Sequence, residues 1–172
     1  MFTKNFKQLT KKDISIAGGK GASLGEMINS GIPVPPGFVI LAKSFDKFLE
    51  ETALSVEIEA ILKKVKYKNM NSVKVASEEI IDMILDAEFP KDIAREIQKE
   101  FSGLKVEYVA VRSSATAEDS SIASWAGELE SYLNTAKNDL LTNVKKCWSS
   151  LFTPRAIFYR FEKKLHKTKV SE

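Results

Sequence analysis

The sequence predicts an α/β fold, a small mixed or antiparallel sheet flanked by helices, from three observations. Short strand-like runs occur at 38–41, 106–112 and 128–134. Between the first two lies a stretch, 55–102, whose apolar residues recur at helical spacing. A glycine-rich segment at 18–27 opens directly onto a further helical pattern. At 172 residues the chain is one domain, or one and a fraction, with enough length for a real core.

Residues 1–12 are basic and polar, with Phe2, Phe6 and Leu9 as scattered anchors. Residues 13–17 lead into GGKGASLGEM, where Gly18, Gly19, Gly21 and Gly25 surround Lys20. From Ala22 the apolar positions 24, 27 and 28 form one helical face, so 18–21 reads as a glycine loop feeding a short helix. Gly31 is placed to end that helix, and Pro33 stops its continuation. Backbone N–H groups at such a helix start can hold phosphate, with Lys20 adding positive charge. A tight turn beside a solvated lysine is the structural alternative. Neither GxxxxGK[ST] nor GxGxxG is present.

Pro33, Pro35 and Pro36 stiffen the approach to the strand at 38–41, since proline belongs before a strand rather than inside it. Ser44 is a candidate cap for the next helix, with apolar positions 45, 48 and 49. The region 55–102 reads as three helices forming their own packed layer. Ile58, Ile61, Leu62 and Val65 mark the first; Val73, Ala76, Ile80, Met83 and Ile84 the second, with Ser72 as cap; Ile93, Ile97 and Phe101 the third, opened by Pro90 and closed by Gly103. No chemistry is visible in them.

The run 106–112 reads as a buried strand ending in Arg112, with Val109, Ala110 and Val111 suited to a sheet. Ser113, Ser114, Thr116, Asp119, Ser120 and Ser121 then make a loop dense in small hydroxyls, and a second strand follows at 128–134. Binding residues favour strand ends and the loops beyond them. An arginine there offers a planar fork of donors matched to phosphate oxygens, against the plainer reading of a surface salt bridge to Glu118 or Asp119. Asn138 or Asp139 is placed to cap a helix whose inner face holds Leu140, Val144, Cys147, Trp148 and Leu151. Thr153 and Pro154 start the last helix, with Ala156, Ile157, Phe158 and Phe161 on it. The residues beyond Arg160 are rich in long charged side chains and are expected to be mobile. His166 among them has no Cys, Asp or second His nearby.

Composition narrows the function classes. Lys and Arg number 26 against 23 acidic residues, a charge of +3, too mild to argue for nucleic acid by itself. Cys147 is the single cysteine, so it has no internal disulfide partner, and a reducing cytoplasmic setting fits. A buried cysteine with no histidine partner reads as core, not nucleophile. The first residues lack the apolar stretch of a secretory signal, and no run approaches the roughly 20 apolar residues of a membrane span.

Three blocks, GGKGASLGEM with GIPVPPGFVI, VAVRSSATAEDSSIASWAGELESYLN, and KKCWSSLFTPRAIFYR, together resemble the N-terminal part of the phosphoenolpyruvate synthase and pyruvate phosphate dikinase family. They occur in the family's order from about residue 13 to about 160. The resemblance implies the first lobe of an ATP-grasp-type nucleotide-binding domain, with 55–102 as a helical insertion. It implies that Lys20 and Arg112 contact ATP phosphates, that Gly18, Gly19 and Gly21 line the same site, and that Ser113, Ser114 and Ala115, continued by Thr116, Glu118 and Asp119, form a loop over the nucleotide. Gly127 corresponds to the glycine near the phosphate tail. ATP and Mg²⁺ are the implied cofactors, with the Mg²⁺ ligands in a second lobe. That lobe, the phosphohistidine domain and the pyruvate barrel find no counterpart here, so the expectation is an isolated first lobe, inactive alone. Glu128 stands where many members have Gln, and Trp125 where Phe is usual.

The leading reading is therefore part of a dikinase that holds a triphosphate electrostatically for transfer to a histidine on another domain. The final acceptor is pyruvate, or another such as rifampicin or phosphate. A non-catalytic structural or regulatory lobe is the second reading. A nucleic-acid binder, resting on Lys163, Lys164, Lys167 and Lys169, is a remote third. The first reading places 18–21 against 113–115, with Lys20 and Arg112 meeting there.

Overall fold

The computed structural model describes residues 1–114 and 130–162. The expectations placed on Ala115, Thr116, Glu118, Asp119, Trp125, Gly127 and Glu128, and on the tail with His166, lie outside the described residues. The elements are β1 (Thr3–Asn5), α1 (Ile14–Asn29), β2 (Phe38–Ile40), α2 (Ala42–Glu51), α3 (Leu54–Lys64), α4 (Met70–Asp86), α5 (Lys91–Leu104), β3 (Val109–Arg112), β4 (Ser131–Thr135), α6 (Leu140–Ser149) and α7 (Pro154–Glu162). Short 3-10 turns occupy Phe6–Gln8, Lys11–Asp13 and Ser150–Phe152.

This is a mixed α/β fold of small antiparallel sheets flanked by helices. The strand-like runs at 106–112 and 128–134 do share a sheet, as expected: β3 pairs with β4, Val109 opposite Thr135 and Arg112 opposite Ser131, with an irregularity between Val109 and Val111. The run at 38–41 does not join them. It pairs with β1, which the sequence reading missed, in the register Thr3–Ile40, Lys4–Val39 and Asn5–Phe38. Three residues give too little alternation for β1 to show as a pattern.

α5 joins the two sheets. Ile93, Ile97 and Phe101, four residues apart, are buried on one helical face, and Phe38 and Ile40 of β2 pack there with Val109 and Val111 of β3. The strand at β3 is not buried throughout, contrary to expectation. Val109 and Val111 face this cluster half-buried, whereas Ala110 and Arg112 are exposed. It is also shorter than expected, because α5 ends with Lys105 in the left-handed region (φ 55°) and 106–108 are exposed before pairing begins.

The expected three-helix layer at 55–102 splits. α3 and α4 contribute Leu54, Ile58, Val73, Ala76, Ile80 and Ile84 to a cluster completed by Phe45 and Phe48 of α2, Leu151 and Phe152, and Ile157 of α7. Trp148 of α6 is packed on it, 5.2 Å from the rings of both Phe45 and Phe48. Helical periodicity defines an apolar face and leaves open what covers it. A third cluster of Leu9, Ala17, Val39 and Leu41 seats α1 on β2.

Several caps also differ. Ser44 does not cap α2; its Oγ donates to the Phe2 carbonyl at 2.8 Å. Asn69, not Ser72, caps α4 by accepting from the amides of Asn71 and Ser72. α5 runs through Gly103 to Leu104. Asp139 precedes α6 without a side-chain capping bond. Gly31, at φ 78°, follows α1 as expected, and Thr153 Oγ1 accepts from the Ala156 amide at the start of α7. Among the described residues no helix is long and apolar enough to cross a membrane.

Candidate functional site

The glycine segment is not the loop expected. Residues 14–29 are helical on both sides of a single break at Gly18, whose φ of 67° and ψ of 166° are open essentially to glycine alone. Gly19, Lys20 and Gly21 belong to the helix that resumes there. The glycine count had suggested a loop, but two of these glycines serve packing. A Cβ at Gly21 would fall 2.8 Å from Val39 Cγ2, and one at Gly25 would fall 2.5 Å from the Leu9 carbonyl oxygen. They let α1 lie close on β2 and on the segment before the helix.

The break is occupied by a residue distant in sequence, Ser114. In an unbroken helix the Gly21 amide would donate to the Ala17 carbonyl, four residues back. Here the Ser114 hydroxyl spans that pair. Its oxygen accepts from the Gly21 amide at 3.3 Å and its proton is donated to the Ala17 carbonyl at 3.1 Å. One donor and one acceptor of the hydroxyl are thereby used in mutually consistent directions. A side chain inserted into the helical ladder is a recognised cause of a kink. The fit is close: a Cβ on Gly18 would lie 2.1 Å from the Ser114 carbonyl oxygen and 2.3 Å from its Oγ.

This contact brings together the two segments that the sequence reading paired, 18–21 and the end of β3. Lys20 is the neighbour of Gly21, and Arg112 stands two residues before Ser114, so both cationic residues border the junction. Lys20 is half-buried and Arg112 exposed at the last position of β3. The Ser113 amide donates to the Glu130 carbonyl at 3.3 Å, which extends the β3–β4 pairing by one step. The insertion of Ser114 into α1 had no sequence signal, because nothing in a hydroxyl-rich run marks which serine reaches a helix 93 residues earlier.

Cys147 lies beneath the same hairpin. Its thiol donates to the Glu130 carbonyl at 3.8 Å. Burial, together with the nearby Glu130 charge, pushes the thiol up to about 12, beyond the reach of nucleophilic work near neutrality. This agrees with its reading as a core residue. Among the described residues no group of three or more His, Cys, Asp or Glu side chains is placed to hold a metal ion. The charged residues bordering the junction on these two segments are Lys20 and Arg112.

A glycine-broken helix fastened to an arginine-bearing strand end defines the class, a small α/β unit with Lys20 and Arg112 bordering its junction. The chain belongs to the family described as pyruvate phosphate dikinase, AMP/ATP-binding domain, whose pattern matches residues 14–171. A probable phosphoenolpyruvate synthase of Methanothermobacter thermautotrophicus is 44% identical over 172 residues, covering 96% of this chain and 25% of that protein. The corresponding protein of Archaeoglobus fulgidus is 46% identical over 167 residues, covering 94% of this chain and 22% of its own length. The phosphoenolpyruvate synthase of Pyrococcus furiosus is 38% identical over 208 residues, covering 98% and 26% respectively. The chain thus spans about a quarter of the length of these curated relatives.

Proposed function

We propose that this chain is the phosphate-contacting part of the ATP-binding region of a phosphoenolpyruvate synthase-like dikinase, the first lobe of an ATP-grasp-type domain. The overall reaction is ATP, pyruvate and water to AMP, phosphoenolpyruvate and phosphate, with the transferred phosphoryl group carried by a histidine on another domain. The observation that carries the reading is the junction of the Gly18 break with the end of β3, inside a segment that matches the family over nearly its whole length.

ATP supplies the phosphoryl group and its own negative charge. Lys20 and Arg112 bind that charge and orient it; neither abstracts a proton. Gly18, Gly19 and Gly21 belong to the same site, where Gly18 and Gly21 let α1 lie against Ser114 and Val39 and so set the position of Lys20. Ser113, Ser114 and Ala115, with Thr116, Glu118, Asp119 and Gly127, complete the segment over the nucleotide. Each charged contact contributes about 1.5–3 kcal/mol when desolvated, and less where water screens it. Mg²⁺ would take its protein ligands from the second lobe. The setting is cytoplasmic, and the partners are the second lobe and the phosphohistidine domain.

Calorimetry with Mg-ATP tests this. The 172-residue chain is expected to bind weakly or undetectably and to make no AMP. A protein extended through the second lobe is expected to bind, and Lys20→Ala and Arg112→Ala each to weaken that binding by about 10-fold or more. If the extended protein binds and neither substitution weakens it, the assigned phosphate roles are wrong. AMP production by the short chain would overturn the half-site reading.

A further inference from the structure

We infer that Ser114 is a positioning residue: its hydroxyl, set into the break in α1, fixes the Lys20 segment against the Arg112 strand end. The inference rests on the phosphate-binding reading above and assigns Ser114 a role exerted through its neighbours.

Three observations carry it. The hydroxyl uses its oxygen on the Gly21 amide and its proton on the Ala17 carbonyl, so both of its strong hydrogen-bond directions face α1. Gly18 leaves the space that the Ser114 backbone and hydroxyl fill, with no room for a Cβ. Arg112 is exposed at the last position of β3, whereas Ser114, two residues on, reaches α1 by hydrogen bonds.

The chemistry distinguishes this from a plain stabilising contact. Ala17 and Gly21 are partners in an ordinary helix. When the hydroxyl is removed, α1 can satisfy both groups by closing on itself. On the strand side, the hydroxyl that makes this contact is gone. Loss of the hydroxyl therefore releases β3 from α1 without leaving α1 with unpaired groups. The consequence falls on the spacing of Lys20 and Arg112, and so on any polyanion held by both.

The test uses NMR on the 172-residue chain. In the wild type, a nuclear Overhauser effect between the Ser114 Hβ and Gly18 Hα protons is expected. In Ser114→Ala the effect between position 114 and Gly18 is lost, while the amide shifts of Ile80 and Ile93 in the two main clusters stay in place. Ser114→Thr keeps the hydroxyl and keeps the contact. In a Mg-ATP titration of the protein extended through the second lobe, followed at the Lys20 and Arg112 amides, Ser114→Ala weakens the response about fivefold, the equivalent of one ordinary hydrogen bond. An undiminished contact in Ser114→Ala would show that packing alone holds the junction and would overturn the inference. So would lost contact with an unchanged nucleotide response. If Mg-ATP leaves the wild-type amides unmoved in the extended protein, the phosphate-binding reading fails, and the proton–proton contact still decides the clasp by itself.

Discussion

Glu96 and Thr3, 93 residues apart, are joined by two hydrogen bonds to a single carboxylate oxygen. Glu96 Oε1 accepts from the Thr3 amide at 2.7 Å and from Thr3 Oγ1 at 2.8 Å, and it also accepts from the Phe2 amide at 2.5 Å. The carboxylate thus pins β1 to α5, the helix that carries both sheets. Burial pushes its pKa up, but the hydrogen bonds from Thr3 and Phe2 outweigh that and hold it below the usual glutamate range. A lowered folded-state pKa stabilises the protein above the unfolded value and the contribution is lost as pH falls through the folded value. Glu96→Ala is expected to cost about 2 kcal/mol at pH 7. Urea titrations of both proteins between pH 7 and pH 3 check this: the difference shrinks as the medium becomes acidic.

Gly18→Ala is expected to destabilise the chain by about 3 kcal/mol, more than an ordinary glycine replacement. Two costs coincide there. The backbone sits at φ 67°, ψ 166°, and the new methyl group would meet the Ser114 carbonyl oxygen at 2.1 Å. Gly103, in contrast, lies in α5 with no atom near a built Cβ. Gly103→Ala therefore gains helix propensity, about 0.5–1 kcal/mol. Thermal melts of the two variants should move in opposite directions. A Gly18→Ala protein as stable as the parent would mean the break can be straightened at little cost.

Ser77 offers a prediction of the opposite kind. It is 1% exposed within α4, and its hydroxyl oxygen has no hydrogen-bond partner. A buried unpaired hydroxyl costs free energy, so removing it relieves a penalty without breaking a contact. Ser77→Ala is expected to raise stability by up to about 1 kcal/mol, read as a higher urea midpoint with an unchanged slope. Loss of stability would point to a bond the side chain makes in solution.

What the sequence disclosed follows physical range. Helices with four-residue apolar recurrence were legible, because the burial of Ile80 and Ile84, or of Ile93 and Ile97, needs nothing beyond one helix face. The β3–β4 pairing was legible from two strand-like runs flanking a polar loop. The cover of each face was not: α5 goes to the strands while α3 and α4 go to α2 and α7, a choice made by tertiary packing. Caps failed where several polar residues competed, as Asn69 did with Ser72. At the site, the pairing of the two segments came from the family resemblance. The break at Gly18 and the reach of Ser114 into it are properties of two distant backbones meeting, which no local pattern encodes.

Cys147 reports on the seat of the hairpin. Its thiol, held at the Glu130 carbonyl beneath β4, is buried, and its pKa is raised to about 12. A raised folded-state pKa stabilises the fold below the unfolded value, and that contribution is lost as pH rises through the ordinary thiol range toward the folded value. Two outcomes follow for a thiol reagent such as iodoacetamide. In the native protein at pH 8 alkylation is slow, because both access and thiolate fraction are low. Its rate rises with urea in step with unfolding of the hairpin. If Gly18→Ala or Ser114→Ala loosens the junction, alkylation accelerates at urea concentrations where the helical cluster around Ile80 remains folded by circular dichroism. Mass spectrometry of the alkylated fraction against time makes the comparison. Rapid labelling of the wild-type protein in buffer would show that the hairpin does not stay seated over the cysteine, and the arrangement of β4 on α6 would have to be revised.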